Sequence, residues 1–448
     1  GNALGANTTA SSNTAVGYYT LAATTTGAQN TAVGRVALLV NTTGADNTGL
    51  GFAALKANTV GCNTAVGSCA LCSNTTAINN TAVGAHALAA VTTGVYNTAL
   101  GTKSLLTNTG TRNTALGSHA LKANTTGSYN TASGQYSMVA NTTGEQNTAS
   151  GRYALKSNTT GNQNTSVGIY ALNNNTTASY NTAVGSCTLY ANTTGANNTG
   201  VGYKTLVSNT TGTSNTAVGY ATLLSNTTGS YNTASGWKAL DANTSGSYNI
   251  ASGLCSMLST TTGNYNTASG SFSLNGNTTG SRNVALGYRA LESNTTACYN
   301  TAVGMYALQS STTSHCNTAI GYCALKTNTT GTNNTASGSY ALAANTTGCK
   351  STAMGVCALR SNTTGWGATS SGWYALGQNT TGCFNTAVGA RALGNSTTGH
   401  RNTALGGWSL RTNTTGYENT ASGYYVLNKN TTGSRNTASG RSALQSHT

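Results

Sequence analysis

The sequence predicts an all-β chain: a parallel β-solenoid, or β-roll, of about 26 turns of 17 residues. Three observations predict it: a single motif fills the chain, its starts recur with a period of 17, and its composition disfavours helix. From Asn13 the register Asn-Thr-Ala-x-Gly-x-x-Ala-Leu-x-x-Asn-Thr-Thr-Gly-x-x starts at 13, 30, 47, 63, 80, 97 and 113, then in steps of 17 to 436. Of its 25 intervals, 23 have the full length of 17 and two, 47 to 63 and 97 to 113, have a length of 16. Such a unit is too short for a helical pair and too long for one strand. Two glycines with many Thr, Asn and Ser in each unit are poor helix material. Turns stacked about 4.8 Å apart would make a rod on the order of 125 Å long. The expected organisation is therefore one continuous array over 1–448, read as an excerpt of a longer chain. Ends that stack on other subunits are the alternative reading.

Each column of the repeat states its own constraint. Position nine is Leu in 24 turns and Met in two, Met138 and Met257. This is the expected buried ladder, represented by Leu21, Leu38, Leu55, Leu155, Leu172, Leu240, Leu325 and Leu427. Position five is Gly in all 26 turns, including Gly17, Gly34, Gly151, Gly304 and Gly440. Such a column calls for positive φ or a backbone approach with no room for Cβ. Position three is Ala or, in four turns, Gly or Ser, so something presses on that face. Position four holds Val, Leu, Ile or Met in seventeen turns and Ser in nine, and is counted here with the core. By strand alternation, positions two and four share one face, and three and five the other. Positions six to eight break the alternation and suggest a corner. Asn at one and twelve suits turns and stacked amide ladders. The outward positions are then six, seven, ten, eleven, sixteen and seventeen.

One Leu, one Val or Ser and a few Ala per turn make a thin core. About 1.5–3 kcal/mol per buried Leu or Val stands against roughly 1–2 kcal/mol of backbone entropy per ordered residue. Either the small residues at three and five face each other across a narrow coil, or they complete the core against another chain.

The segments NTAVGYYTL at Asn13–Leu21 and NTASGRYALKSNTTG at Asn147–Gly161 resemble the head repeats of YadA-like trimeric autotransporter adhesins. They are also similar to the NTAxGxxALxxNTTG arrays of phage and bacterial tail-fibre-type proteins. The likeness runs over essentially the whole chain, although adhesin heads have a shorter period and a more apolar stretch before the glycine. What the resemblance implies is a left-handed β-roll, assembled as a trimer and serving as a surface fibre.

Composition removes most chemistry. Only 6% of 448 residues are charged, and five are acidic: Asp46, Glu145, Asp241, Glu292 and Glu418. No acid–base pair is in prospect, so the reading is no enzyme, no catalytic residue, no cofactor and no metal. A net charge of +15 is spread over outward residues such as Lys103, Lys122, Arg152, Lys204, Lys238 and Arg289. Without a dense basic run, solubility is the first reading, weak attraction to anionic glycans the second, and nucleic acid is not expected. No apolar run is long enough for membrane insertion.

The eleven cysteines include a Cys69-x-x-Cys72 spacing with no second ligand pair. Free surface thiols are the first reading, cross-turn or inter-chain disulfides the second, and metal the third. Tyrosines gather at position seven, where Tyr136, Tyr153, Tyr170 and Tyr306 are the candidate contact residues, and again at position seventeen. They form either stacked ladders or sugar contacts. Position twelve gives 19 Asn-x-Thr or Asn-x-Ser sequons, Asn41, Asn124 and Asn209 among them, read first as turn chemistry. His86, His119, His315, His400 and His447 are scattered.

The expected function is structural: a fibre or shaft on a cell or virion surface, extracellular, trimeric or with filament neighbours, adhering to glycans through outward Tyr, Arg and Lys. The alternatives are an ice-binding solenoid, against which adjacent Thr-Thr residues are expected to point to opposite faces, and an end-to-end polymerising filament subunit.

Overall fold

The computed structural model describes residues 1–446; His447 and Thr448 lie outside them. The chain is an all-β parallel solenoid that completes one turn per repeat, with no helix among the described residues. It forms two compact units, Gly1–Thr228 and Gly229–Thr448. The first holds thirteen three-residue strands, β1 (Thr14–Val16) to β13 (Thr216–Val218). The second holds thirteen more, β14 (Thr233–Ser235) to β26 (Thr437–Ser439).

Within each unit every strand pairs in parallel with its counterpart one repeat away, as Thr14 with Thr31 and Ala15 with Ala32. The two short turns keep that register, pairing Thr48 with Thr64 and Thr98 with Thr114. Their missing residue comes from the Asn-Thr-Thr-Gly corner. In a full turn the Asn158 amide donates three residues ahead, to the Gly161 carbonyl at 2.9 Å. In the short turns Asn58 and Asn108 reach only two ahead, to Val60 at 2.6 Å and Gly110 at 2.8 Å.

The interior is built from positions one, three, eight, nine, twelve and fifteen. The eight named leucines are fully buried, as are their Ala neighbours at position eight, such as Ala37 and Ala154. Adjacent residues can both face inward here because the backbone turns left-handed. Leu155 has φ of 50° and Tyr153 of 58°, and every position-nine residue falls between 46° and 53°. A left-handed L-residue costs about 1–2 kcal/mol, and a fully buried Leu returns about 1.5–3 kcal/mol. The corner expected at positions six to eight is this left-handed turn, extended to position eleven.

One feature of the interior answers a question the sequence left open, and one differs from the sequence reading. Position three lies inside its own coil: Ala32, Ala149 and Ala302 are fully buried, and a Cβ built on Gly49 meets Leu38 at 3.5 Å. The small-residue column is therefore satisfied by the leucine ladder of the same chain. Position four, counted above with the core, faces out, with Val16 58% and Met354 52% exposed. In a three-residue strand whose central residue points inward, both flanking residues must point outward.

Buried asparagines supply what the thin apolar core lacks. Asn147 and Asn158 both donate side-chain amides to the Gly161 carbonyl, each at 2.9 Å, gripping one corner from its two ends. The Asn147 backbone amide donates to Asn130 Oδ1 at 3.0 Å, and Asn158 Nδ2 donates to Asn141 Oδ1 at 2.8 Å. Thr159 adds a bond to the Thr176 carbonyl at 3.1 Å. Three side-chain ladders thus run beside the backbone bonds, and each of these groups finds its partner one turn away.

The five named glycines have φ between 109° and 134°. A Cβ added to Gly34 or Gly151 would lie 2.5 Å from the carbonyl oxygen of the glycine one turn on. Gly440 has nothing within 4 Å of that position.

Candidate functional site

With the interior fixed, chemistry is confined to the outward columns. Positions seven and ten of one turn lie side by side across the left-handed corner. Arg289 and Glu292 form an ion pair at 3.5 Å. The Lys156 ammonium lies over the Tyr153 ring at 5.3 Å, and the Arg411 guanidinium over Trp408 at 4.4 Å. The same columns continue along the coil. Tyr136, Tyr153 and Tyr170 are half-buried and stack with centroids 5.4 and 5.2 Å apart, with His119 stacked on Tyr136 at 4.9 Å. Burial, helped by Lys122 and Lys103, lowers the His119 pKa.

Tyr306 belongs to a different arrangement. It meets Tyr322 edge to face at 6.3 Å, and Tyr322 meets Tyr340 at 5.2 Å. A hydrogen bond with Tyr340 is the main cause that pushes the Tyr322 phenol up to about 12. Lys326 and Arg360 flank these rings in a shallow depression. A second depression lies between Trp366, Phe384, His400 and Arg401.

The position-seventeen column is more exposed. Tyr231, Tyr248 and Tyr265 stack at 4.9 Å and within 7° of parallel, each about half exposed. Arg282 continues that stack, lying 5.8 Å from the Tyr265 ring and 5.2 Å from Tyr299 while donating to the Tyr299 hydroxyl. The faces a sugar would stack on are covered by neighbouring rings in these runs, leaving edges and hydroxyls outward.

Cations are engaged in the same way. Arg152 sits 4.7 Å over Tyr153, and Arg391 sits 4.6 Å over Trp373 and 5.0 Å over Trp408. Glu418 bridges Arg401 and Arg435 at 3.3 and 3.1 Å, and the bond from Arg435 is the leading cause that lowers its carboxyl pKa.

All eleven cysteines are free, and Cys255 and Cys323 are buried. Among the described residues no group of three or more His, Cys, Asp or Glu side chains could hold a metal ion. His447 lies outside those residues. The sequon asparagines are committed inward: Asn41, Asn124 and Asn209 are fully buried, and Asn124 Nδ2 donates to Asn108 Oδ1 at 2.6 Å and to Gly127 at 2.8 Å. Glycan attachment at those nitrogens requires opening the coil.

Neither residue of the Thr-Thr pair is buried, so the pair does not divide between core and solvent: Thr42 and Thr43 are both exposed. On the strands, Thr165 and Val167 lie outward beside the buried Ser166. No helix among the described residues is long and apolar enough to cross a membrane.

No protein-family model matches the chain, and no curated protein matches it.

Proposed function

We propose that the chain is a structural fibre protein of a cell or virion surface, a shaft or spacer that carries variable side chains outward and associates laterally with copies of itself as a trimer. One observation carries this reading. The inward columns keep nearly the same residue from turn to turn, with the asparagines of positions one and twelve bonding to their own copies, whereas the outward positions six, seven, ten, eleven, sixteen and seventeen change freely. A scaffold needs the first property and a contact surface tolerates the second. Lateral association is supported by the exposed fourth-position column, where Val167, Val184, Val201 and Val218 follow one another at 37–41% exposure. Adhesion to glycans uses the edges of the Tyr columns with nearby Arg and Lys.

The test is the assembly mass in solution, by sedimentation under reducing conditions, for the native chain and for a Val184→Lys, Val201→Lys variant. A discrete mass near three times 44.9 kDa that falls to one chain in the variant supports the reading. A monomer at every concentration removes the trimer, and an open-ended distribution replaces it with a filament.

A second reading has one observation in its favour. Thr and Val or Ser recur outward on the same face of most strands, as Thr182 beside Val184 and Thr199 beside Val201. Regularly spaced hydroxyls and methyls on one face would suit an ice-binding surface. Absence of thermal hysteresis at millimolar concentration would end it.

A further inference from the structure

We propose that Cys69 and Cys72 form a dithiol modification site that closes to an intramolecular disulfide by exchange with a small-molecule disulfide of the glutathione class. The two residues occupy positions seven and ten of one turn, and three other turns show what those positions do. Arg289 and Glu292, Lys156 and Tyr153, and Arg411 and Trp408 each meet across that corner. In several turns residue ten also donates to the carbonyl of residue seven, as Gly394 to Arg391 at 3.0 Å, Gly377 to Tyr374 at 3.2 Å and Lys56 to Ala53 at 3.3 Å, and the Cys69–Cys72 corner has the same left-handed backbone, with φ of 53° at Cys69 and 50° at Leu71. Such a turn holds its outer Cα atoms within about 7 Å, and a disulfide spans about 4.4–6.8 Å. Ala70 and Leu71 between the cysteines are fully buried, which leaves both half-exposed thiols on the solvent side.

The remaining cysteines lack this relationship. Cys323 and Cys357 share a column two turns apart, as do Cys349 and Cys383, a separation of about 9.5 Å. Cys298 and Cys316 lie in successive turns, but the Cys298 sulfur accepts from the Ser281 amide at 3.3 Å, on the side away from Cys316.

Burial foremost, and then the neighbouring Cys69, raises the Cys72 pKa, and its thiol donates to the Ala89 carbonyl at 3.5 Å. Cys69 therefore attacks first. Its thiolate bonds to one sulfur of the small disulfide and expels the other half as a thiolate, which takes a proton from water. Cys72 then loses its proton to solvent and attacks the Cys69 sulfur, expelling the second half. Two protein thiols are oxidised by two electrons, and one small disulfide is reduced to two thiols.

The experiment equilibrates the full-length reduced chain with graded ratios of oxidised to reduced glutathione, traps free thiols by alkylation, and maps the peptide that contains residues 69–72. The expected product is that peptide two hydrogens lighter and unlabelled. Closure in the native chain should be at least about tenfold more favourable than in denaturant, because the turn holds the thiols together. Cys72→Ser should instead accumulate a glutathione adduct on Cys69. Tyr190→Cys, which recreates the seven-and-ten pair with Cys187, should close in the same way. A peptide that stays doubly alkylated or doubly glutathionylated, equal closure in native and denatured chains, or a Tyr190→Cys variant that stays open would each overturn the proposal.

Discussion

Asn379 and Ser396 occupy the same ladder position one turn apart, and the side-chain oxygens of both are buried without a hydrogen-bond partner. Below them the ladder is intact: Asn379 Nδ2 donates to Asn362 Oδ1 at 2.8 Å. Above them Asn413 Nδ2 donates only within its own corner, to Gly416 at 2.9 Å. Serine is too short to bridge its neighbours. Ser396→Asn should join the two ladder segments and raise stability by about 1–2 kcal/mol, the net worth of one or two buried hydrogen bonds. Chemical denaturation of the two chains checks it; no gain would mean that the ladder bonds contribute nothing net.

Asn158→Asp places a carboxylate oxygen where a donor serves Asn141 Oδ1 at 2.8 Å and the Gly161 carbonyl at 2.9 Å. Two acceptors then face a buried negative charge. A loss of about 3 kcal/mol or more is expected, read as a lower unfolding midpoint in urea.

Gly151→Ala and Gly440→Ala separate two causes that one glycine column combines. At Gly151 a Cβ meets the Gly168 oxygen at 2.5 Å, with φ at 134°; at Gly440 only the backbone angle, 109°, opposes it. The conformational part is about 1–3 kcal/mol in either case, and overpacking adds about 1–3 kcal/mol more at Gly151 alone. Equal losses in the two variants would show that backbone conformation alone explains the column.

Asp241 is a carboxylate placed against the grain of its surroundings. Burial, only partly opposed by Lys238, raises its pKa above the ordinary 3.8, and its Oδ1 is buried without a partner. A carboxyl whose pKa is raised on folding favours the protonated folded state. Its ionisation therefore destabilises the fold above that raised pKa, and the penalty disappears below 3.8. Asp241→Asn should raise the melting temperature at neutral pH and lose that advantage in acid. Equal shifts at both pH values would rule out the charge as the cause.

Much of the coil is legible in the residues themselves. The Leu column from Leu21 to Leu427 reads as a ladder because only Leu and Met occur there, and the all-Gly column reads as a place of positive φ or one without room for Cβ. The asparagines read as ladder and turn residues, but not as core, because a buried amide is recognisable only once its partner is placed. Asn158 has donors matched to acceptors one turn away and three residues ahead. The Cys69-x-x-Cys72 spacing is visible in the sequence but the closeness of its two positions is not, because an extended chain separates them and only the left-handed residues bring positions seven and ten together.

By itself the sequence determined the solenoid, its period, its strand register and its lack of clustered acid–base chemistry, because a strict repeat forces each column to stack on itself. Tertiary structure alone decided the facing of the columns whose composition leaves it open. Ala32 and Val33 are neighbours in one strand, and either could have been core by composition. The left-handed corner turns Ala37 and Leu38 inward together, fills the space over Ala32, and leaves Val33 to the outside. A column's composition records how tightly it is constrained, but not whether the constraining atoms belong to the same chain or another. Only the distance from position three to the leucine ladder answers that.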